Sequence, residues 1–457
     1  MTGPTSTSSE LPVRVALGTR PLGLFESLAA ARRNIVEIIP EVATRQPVVS
    51  GKTGTRWHMV MDPGALRRVL VERLDDYPKS DVTKSLLRPA IGESLFIAEG
   101  AHWRWQRRAA APAFSHRNVT SLAPVMTEAA ERAAHRIGAA AGRRAVNVYD
   151  EMVAATFDVI STVTFADGEG FDRAAVHAAI DAYVTESGKI SFLDVIGAPD
   201  WVPRPGRVAF DPATRDMKAM ADRVVAAREA RGPSSTPDLL DLLRAGEDAE
   251  TGRRMSDAEL RDNLLTFIVA GHETTALTLA WSLYLCAFDR RVQARAQEEA
   301  AAVLGARAAG AADVERLPYI RQICEEALRL YPPAAVFSRT AQVEDRLCGR
   351  EIRPGDTVMI PAYALHRHRL LWEAPDAFRP ERFADRKAIR RFSYLPFGDG
   401  PRICIGASFA IQEAVIILAT LLARFRFTPV AGRDPRPVMI LTLRPEGGVW
   451  LEAEPLA

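Results

Sequence analysis

The chain has 457 residues, 47% of them hydrophobic and 25% charged, with 59 basic side chains against 57 acidic ones. Apolar content this high with a net charge of +2 excludes intrinsic disorder, and the balance gives no bulk attraction to nucleic acid. The 29 Gly and 30 Pro follow no period, which excludes collagen-like and other low-complexity structure. Arg supplies 53 of the basic residues and Lys only six, a bias that reads as codon usage. The four cysteines, Cys286, Cys324, Cys348 and Cys404, have neither the spacing of a zinc site or redox pair nor the density of a disulfide scaffold. No basic segment followed by an apolar one opens the chain, and no run of eighteen apolar residues occurs. A cytoplasmic location with no membrane anchor is the expectation.

Residues 1–12 read as a flexible tail and 13–457 as one domain, mainly α with a minor β portion and no clean linker. In chain order, 22–39 has helical apolar spacing up to Pro40. Short strands follow at 48–49 and 57–61 around a Gly-rich gap at 50–54 that reads as a hairpin loop, and Pro63 opens a short helix. From 101 to 232 the pattern is helical and rich in Ala and Arg, with breaks at 168–170 and 199–205 and a polar interruption at 232–237. Ser256 with Glu259 is a capping box opening the longest helix, to about Asp289. Residues 264–271 in it are apolar nearly all round, which implies burial in protein. A helix over 319–331 is stopped by Pro332 and Pro333, and 336–365 is β-rich with a turn at 353–356. An apolar helix covers 407–425, and the chain ends in a hairpin of 438–443 with 449–451.

The residues that suggest chemistry cluster in four strings. The first is Phe397-Gly-Asp-Gly-Pro-Arg402-Ile-Cys404-Ile-Gly406. A cysteine at a helix start, with Arg402 beside it and Gly400 and Gly406 admitting backbone N–H groups, is a candidate thiolate metal ligand. An isolated cysteine there would more often be inert and buried. The second is Glu326-Ala-Leu-Arg329 followed by Pro380-Glu-Arg382-Phe383; alone, an i,i+3 ion pair is usually a solvated surface pair. The third is Ala270-Gly271-His272-Glu273-Thr274-Thr275, an acid and a hydroxyl in an apolar helix. Such groups ask for a reason: either proton delivery, or a Thr hydroxyl bonded to the carbonyl one turn back. The fourth is Trp103-Arg-Trp-Gln-Arg107, whose ends share a helix face.

Together these strings resemble, in the same order, the motifs of the cytochrome P450 family, and the Cys404 string matches its heme-binding pattern at every fixed position. The resemblance spans about residues 22–451, and the wording near Phe96, Ala270, Ala334 and Leu441 is similar to heme domains of bacterial fatty-acid hydroxylases. It implies a P450-type fold with a long buried helix over heme b (iron protoporphyrin IX), and Cys404 as proximal thiolate ligand. Arg402, with the Trp103–Arg107 pair and Arg339, would hold heme propionates, Phe397 would pack beside the ligand loop, and Gly271 would admit a flat partner. Glu326, Arg329 and Arg382 would form a structural ion network. Glu273 and Thr274 would be the acid–alcohol pair that manages protons, and His272 is not a ligand in such a string. Phe96, Val269, Ala270, Ala334, Val336 and Leu441 would line an apolar substrate pocket, under lids at 86–97 and 171–207, with Arg45 and Arg56 at its mouth.

The implied activity is a heme-thiolate monooxygenase that inserts one atom of dioxygen into an apolar substrate, such as a fatty acid, terpene or aromatic compound. With no reductase in the sequence, electrons are expected from a ferredoxin or flavodoxin with its NAD(P)H reductase, drawn to Arg104, Arg107 and Arg108. A peroxide-driven peroxygenase or a non-catalytic heme sensor are the alternatives; neither needs Glu273 and Thr274.

Overall fold

The computed structural model describes residues 11–20, 22–165, 211–234 and 237–456. Among them are helices α1 Leu24–Arg33, α2 Pro63–Arg67, α3 Asp81–Ile91, α4 Gly100–Ala110, α5 His116–Ser121, α6 Ala123–Ala140, α7 Val148–Phe165, α8 Asp211–Arg231, α9 Leu239–Ala245 and α10 Asp257–Phe288. Then come α11 Arg290–Leu304, α12 Pro318–Leu330, α13 Ala362–Leu365 and α14 Ala407–Leu422. The strands are β1 Val48–Thr53, β2 Thr55–Val60, β3 Val146–Asn147, β4 Phe337–Thr340, β5 Asp345–Leu347, β6 Arg350–Ile352, β7 Thr357–Ile360, β8 Phe425–Pro429, β9 Arg436–Met439, β10 Leu443–Glu446 and β11 Trp450–Pro455. The chain is mainly helical with small sheets.

The central helix is α10. Ser256 Oγ accepts from the Glu259 N–H and Glu259 returns a bond to the Ser256 N–H, the capping box expected at this start. Its 32 residues cross the molecule for about 48 Å. It packs on α7, α14, α12 and α8, and nearly every residue from Ala276 to Ala287 is buried. α14, long and apolar enough to span a membrane by composition, is instead 61% buried over 407–424 and forms the core between α6 and α10. One large apolar cluster holds these helices and the sheets; a smaller one gathers Leu95, Trp103, Leu239, Leu264 and Phe267.

The main sheet runs β1-β2-β7-β4, with β2 parallel to β7 and the other pairs antiparallel. The β1–β2 turn is tighter than the sequence suggests: Thr53 pairs with Thr55 around Gly54 at φ 79°, so 50–53 belong to the strand. The first helix also differs. It stops at Asn34, whose side chain caps a 3₁₀ turn at Ile35–Ile38 and holds the β9 strand through the Met439 N–H and Pro437 carbonyl. At the C-terminus, β9 pairs with β10, while residues 450–455 join β3 and β8 in a separate sheet. The expected hairpin of 438–443 with 449–451 is therefore one strand out of step, because Gly447 and Gly448 (φ 81° and 85°) turn the chain out of the first hairpin. The expected breaks at 168–170 and 199–205 and the lid over 171–207 lie outside the described residues.

Candidate active site

Between α10 and the loop that carries Cys404 lies a cavity of about 370 Å³ with a largely apolar wall. α10 presents it one face at helical spacing: Phe267, Ala270, Gly271, Thr274, Thr275 and Thr278. Opposite stand Pro396, Phe397 and Ile403–Gly406, and the sides come from Leu95, Phe96, Trp103, Phe114, Ala334 and Phe337. Cys404, Phe397, Arg402, Trp103, Arg107, Arg339, Gly271, Thr274, Phe96, Ala270 and Ala334 are thus brought to one cavity from sequence positions 300 residues apart.

The Cys404 loop is a folded-back turn. The Cys404 N–H bonds the Phe397 carbonyl at 2.9 Å, two residues before the Gly406 cap of α14. Gly400 sits at φ 77°, and a Cβ there would meet the Leu70 carbonyl oxygen at 2.5 Å, so the loop depends on glycine at this point. The thiol is reachable from the cavity but walled by protein, and that burial pushes its pKa up. The Gly406 N–H, Arg107 and Lys79 act in the opposite direction, and a metal ion would override the burial. Arg402, expected to be the nearby charge, turns to Glu99 instead, pairing with its carboxylate and the Ala98 carbonyl while lying 4.3 Å over the Trp103 ring.

Cations crowd one edge of the cavity. Arg339 is 6% exposed, and its Nε and Nη1 have no hydrogen-bond partner; Arg402 Nη1 is unpartnered as well. Burial, with Arg402 as neighbour, brings the Arg339 pKa down to about 10, and burial lowers Arg107 and Arg402 too. Lys79, which nothing in the sequence singled out, has its Nζ 3.4 Å over the Phe96 ring and a pKa pushed well down by burial and by Arg339. Glu99, which pairs with Arg402 and accepts the Lys79 N–H, is the nearby counter-charge, with Asp399 on the wall. Buried donors without acceptors beside an apolar cavity fit a ligand bearing carboxylates, and the thiol, as thiolate, would serve as a metal ligand.

The α10 pair separates. Thr274 is on the cavity wall, its Oγ1 donating to the Ala270 carbonyl at 2.8 Å, the back-bond that a Thr in a helix commonly makes. Glu273 is 4% exposed and is not among the described residues of the cavity wall. Its carboxylate accepts from Thr442 Oγ1 at 3.0 Å and forms an ion pair with Arg444, both on the β9–β10 hairpin. His272 Nδ1 bonds the Ile268 carbonyl and the ring sits edge-on to Phe157, away from the cavity. A Cβ on Gly271 would meet Ile160 of α7 at 3.1 Å, so its smallness serves the α10–α7 contact; Ala270 is the small side chain that faces the cavity.

Three expected pocket residues lie elsewhere. Val269, Val336 and Leu441 are half-buried against the large core and are not among the described lining residues. Val269 is off the cavity face by helix geometry, whereas Phe267 and Thr278 were findable by the same spacing. Leu95 and Phe96 do line the wall, but residues 92–95 are tied to α10: the Glu93 N–H to Asp262 and the Leu95 N–H to Asn263. These two bonds join the end of the expected lid at 86–97 to α10. Arg45 pairs with Glu41, and Arg56 with Asp356; neither reaches the cavity. Of the three α4 cations, Arg107 points inward, while Arg104 pairs with Asp75 and Arg108 with Asp248.

Away from the cavity, Glu326 and Arg329 are both fully buried and paired at 2.7 Å. Arg329 also donates to the carbonyls of His366, Pro375 and Ala377, and Arg382 reaches Glu326 at 3.3 Å. The three side chains thus form one connected set of ion pairs.

Comparison with known proteins agrees in outline. The family model described as Cytochrome P450 matches residues 19–452. Cyclooctatin synthase of Streptomyces melanosporofaciens is 34% identical over 94% of this chain and 94% of its own length. Cyclooctat-9-en-7-ol 5-monooxygenase of the same organism is 32% identical over 91% and 90%. The bifunctional cytochrome P450/NADPH–P450 reductase 2 of Bacillus subtilis (strain 168) is 31% identical over 78% of this chain and 34% of its own.

Proposed function

The chain belongs to the cytochrome P450 family, hence to the heme-dependent monooxygenases, and on that premise we propose that Cys404 is the thiolate ligand of a heme b in the 370 Å³ cavity. The observation that carries this reading is the pairing of a cavity-facing thiol with the unpartnered, buried guanidinium of Arg339. Arg339, Arg402, Arg107 and Lys79 would hold the heme carboxylates, with Trp103 and Phe397 packing beside them. Bound heme supplies the activation of dioxygen, with the thiolate favouring O–O cleavage. The protein's part is to bind an apolar substrate over Phe96, Ala270, Ala334 and Phe337, exclude water, and deliver protons. Thr274 holds a hydroxyl at the wall, and Glu273 relays protons to it from outside.

The substrate reading is an apolar compound of terpene, fatty-acid or aromatic character. It is supported by the wall, which includes Leu95, Phe96, Phe114, Ala270, Ala334 and Phe337, and by the relative named for acting on cyclooctat-9-en-7-ol. The surface over the Cys404 loop, with Arg104 and with Arg391 beside Asp399, is read as the docking face for an acidic electron donor such as a ferredoxin or flavodoxin.

The test is the absorption spectrum of the reduced protein with carbon monoxide. The strongly red-shifted Soret band of a thiolate complex is expected in the wild type and is lost in Cys404→Ser. Retention of that band in the variant would sink the ligand assignment. A panel of fatty acids, terpene alcohols and aromatic compounds, scored by spin-state shift, then tests the substrate class; no shift from any apolar compound would reject it.

A further inference from the structure

A second hollow, of about 410 Å³, opens between the start of α7 and the β9–β10 hairpin. Its walls include Asn147, Asp150, Ile440 and Arg444. Arg444 is therefore shared: it lines this cleft and forms the ion pair with Glu273 on α10. Glu273 is buried, its Oε1 held by Arg444 and by Thr442, while the next residue, Thr274, is on the wall of the large cavity. The hairpin is itself fixed, since the Leu443 N–H bonds the Pro333 carbonyl and the Trp281 indole donates to the Leu443 carbonyl at 3.2 Å. One carboxylate thus stands between the cleft and the large cavity, held at its cleft end by a guanidinium on a rigid mount.

We propose that this cleft is the entry for the protons the reaction consumes, and that Arg444 is the positioning residue that holds Glu273 where it takes them up. The inference rests on the reading of Glu273 as the relay. Each turnover takes two electrons from the donor and two protons from solvent, one oxygen atom leaving as water. Glu273 accepts a proton from cleft water on its carboxylate, releases it toward the hydroxyl of Thr274 by rotation of its side chain, and returns ionised to Arg444. Proton in equals proton out, so no further reactant is needed. Arg444 and Thr442 together fix the Glu273 Oε1 at the cleft end, where it can take up a proton. Asp150, which accepts from the Asn147 side chain at 2.8 Å, gives the cleft wall a second carboxylate.

The experiment uses the heme-loaded protein, with the compound giving the largest spin shift in the screen above as substrate. Four variants are compared: Arg444→Met, Arg444→Lys, Glu273→Gln, and Ile440→Trp, which narrows the cleft while keeping both partners of the ion pair. Each must first retain the thiolate carbonyl band and the substrate spin shift, which establishes fold and binding. Arg444→Met and Ile440→Trp are expected to slow product formation at least fivefold and to raise the solvent deuterium isotope effect, and Arg444→Lys to stay within twofold of wild type. An infrared difference against Glu273→Gln should show the same Glu273 carboxylate band in the wild type and in Ile440→Trp, and a displaced one in Arg444→Met, where the Arg444 contact is gone. Wild-type rates and isotope effects in Ile440→Trp and Arg444→Met, beside a slow Glu273→Gln, would overturn the cleft route and leave the relay standing. A Glu273→Gln variant with wild-type coupling and isotope effect would remove the relay itself.

Discussion

Arg339 carries two energetic signs at once. Its guanidinium is buried with Nε and Nη1 unpartnered, which costs the protein free of ligand roughly 1–3 kcal/mol. The same donors bind a carboxylate more strongly for having been desolvated beforehand. Arg339→Met should therefore stabilise the heme-free protein by about 1–3 kcal/mol in urea unfolding while weakening heme retention ~10–100-fold in transfer to apomyoglobin. Loss of stability in the heme-free variant, with heme retention unchanged, would make Arg339 an ordinary core cation. Thr274 is tested differently, because its hydroxyl already has a structural role in the bond to Ala270. If that bond were its whole purpose, Thr274→Ala would leave coupling intact. The proton role predicts that reductant use continues near its wild-type rate while product per reductant falls several-fold and peroxide appears, and Thr274→Ser should restore most of the coupling.

At the scale of elements, Glu326 and Arg329 join α12 to the segment from His366 to Arg382. Glu326 accepts from Arg329, Arg382 and the Arg379 N–H, and Arg329 donates to three backbone carbonyls. Removing one charge leaves the other buried and uncompensated, so Glu326→Gln should lower stability by about 3–5 kcal/mol by denaturant midpoint. A loss below ~1 kcal/mol would mean that water already reaches the pair. The spacing Glu-x-x-Arg placed these residues on one helix face, but their burial came only with the carbonyls from a segment 40 residues on. The same limit recurs along the chain. Residues that specify their own element were readable: Ser256 and Glu259 for the start of α10, Pro332 for the end of α12. Residues whose role depends on another element were not. Lys79 follows an ordinary Tyr-Pro pair and meets Phe96 and Arg339 only in the fold; Arg402 was assigned to Cys404 by proximity in sequence and turned instead to Glu99. The β9 strand likewise has a distant partner, the Asn34 side chain some 400 residues earlier, which bonds the Pro437 carbonyl and the Met439 N–H.

Across the whole molecule, buried titratable groups tie stability to pH, and two of them pull in opposite directions. His366 is fully buried between Arg329 and the loop leading to Cys404. The Leu395 N–H donates to its Nε2 at 2.8 Å, so Nδ1 carries the proton and donates to the Arg329 carbonyl at 3.2 Å. A second proton on Nε2 would break the bond from Leu395, and burial with Arg329 nearby brings the pKa down to about 3. In the unfolded chain the ordinary value near 6.5 returns. The folded state then binds fewer protons than the unfolded one between pH 6.5 and 3, so the contribution of His366 is complete above pH 6.5 and is lost as pH falls through that window. Between pH 7.5 and 5 the loss amounts to about 2 kcal/mol. Glu413 on α14 has the opposite sense. Burial raises its pKa well above the ordinary value, its Oε1 is unpartnered, and the folded state holds a proton that the unfolded chain releases above about pH 4.5. Its contribution therefore falls as pH rises, and the wild-type profile is a sum of both. The His366 share is isolated by subtraction: His366→Asn keeps a donor toward Arg329 but cannot titrate. Urea midpoints of the two proteins at pH 7.5 and pH 5 should differ by about 2 kcal/mol less at the lower pH. An equal difference at both values would mean that His366 binds protons alike in the folded and unfolded chains, and that the Leu395 bond does not hold the ring neutral.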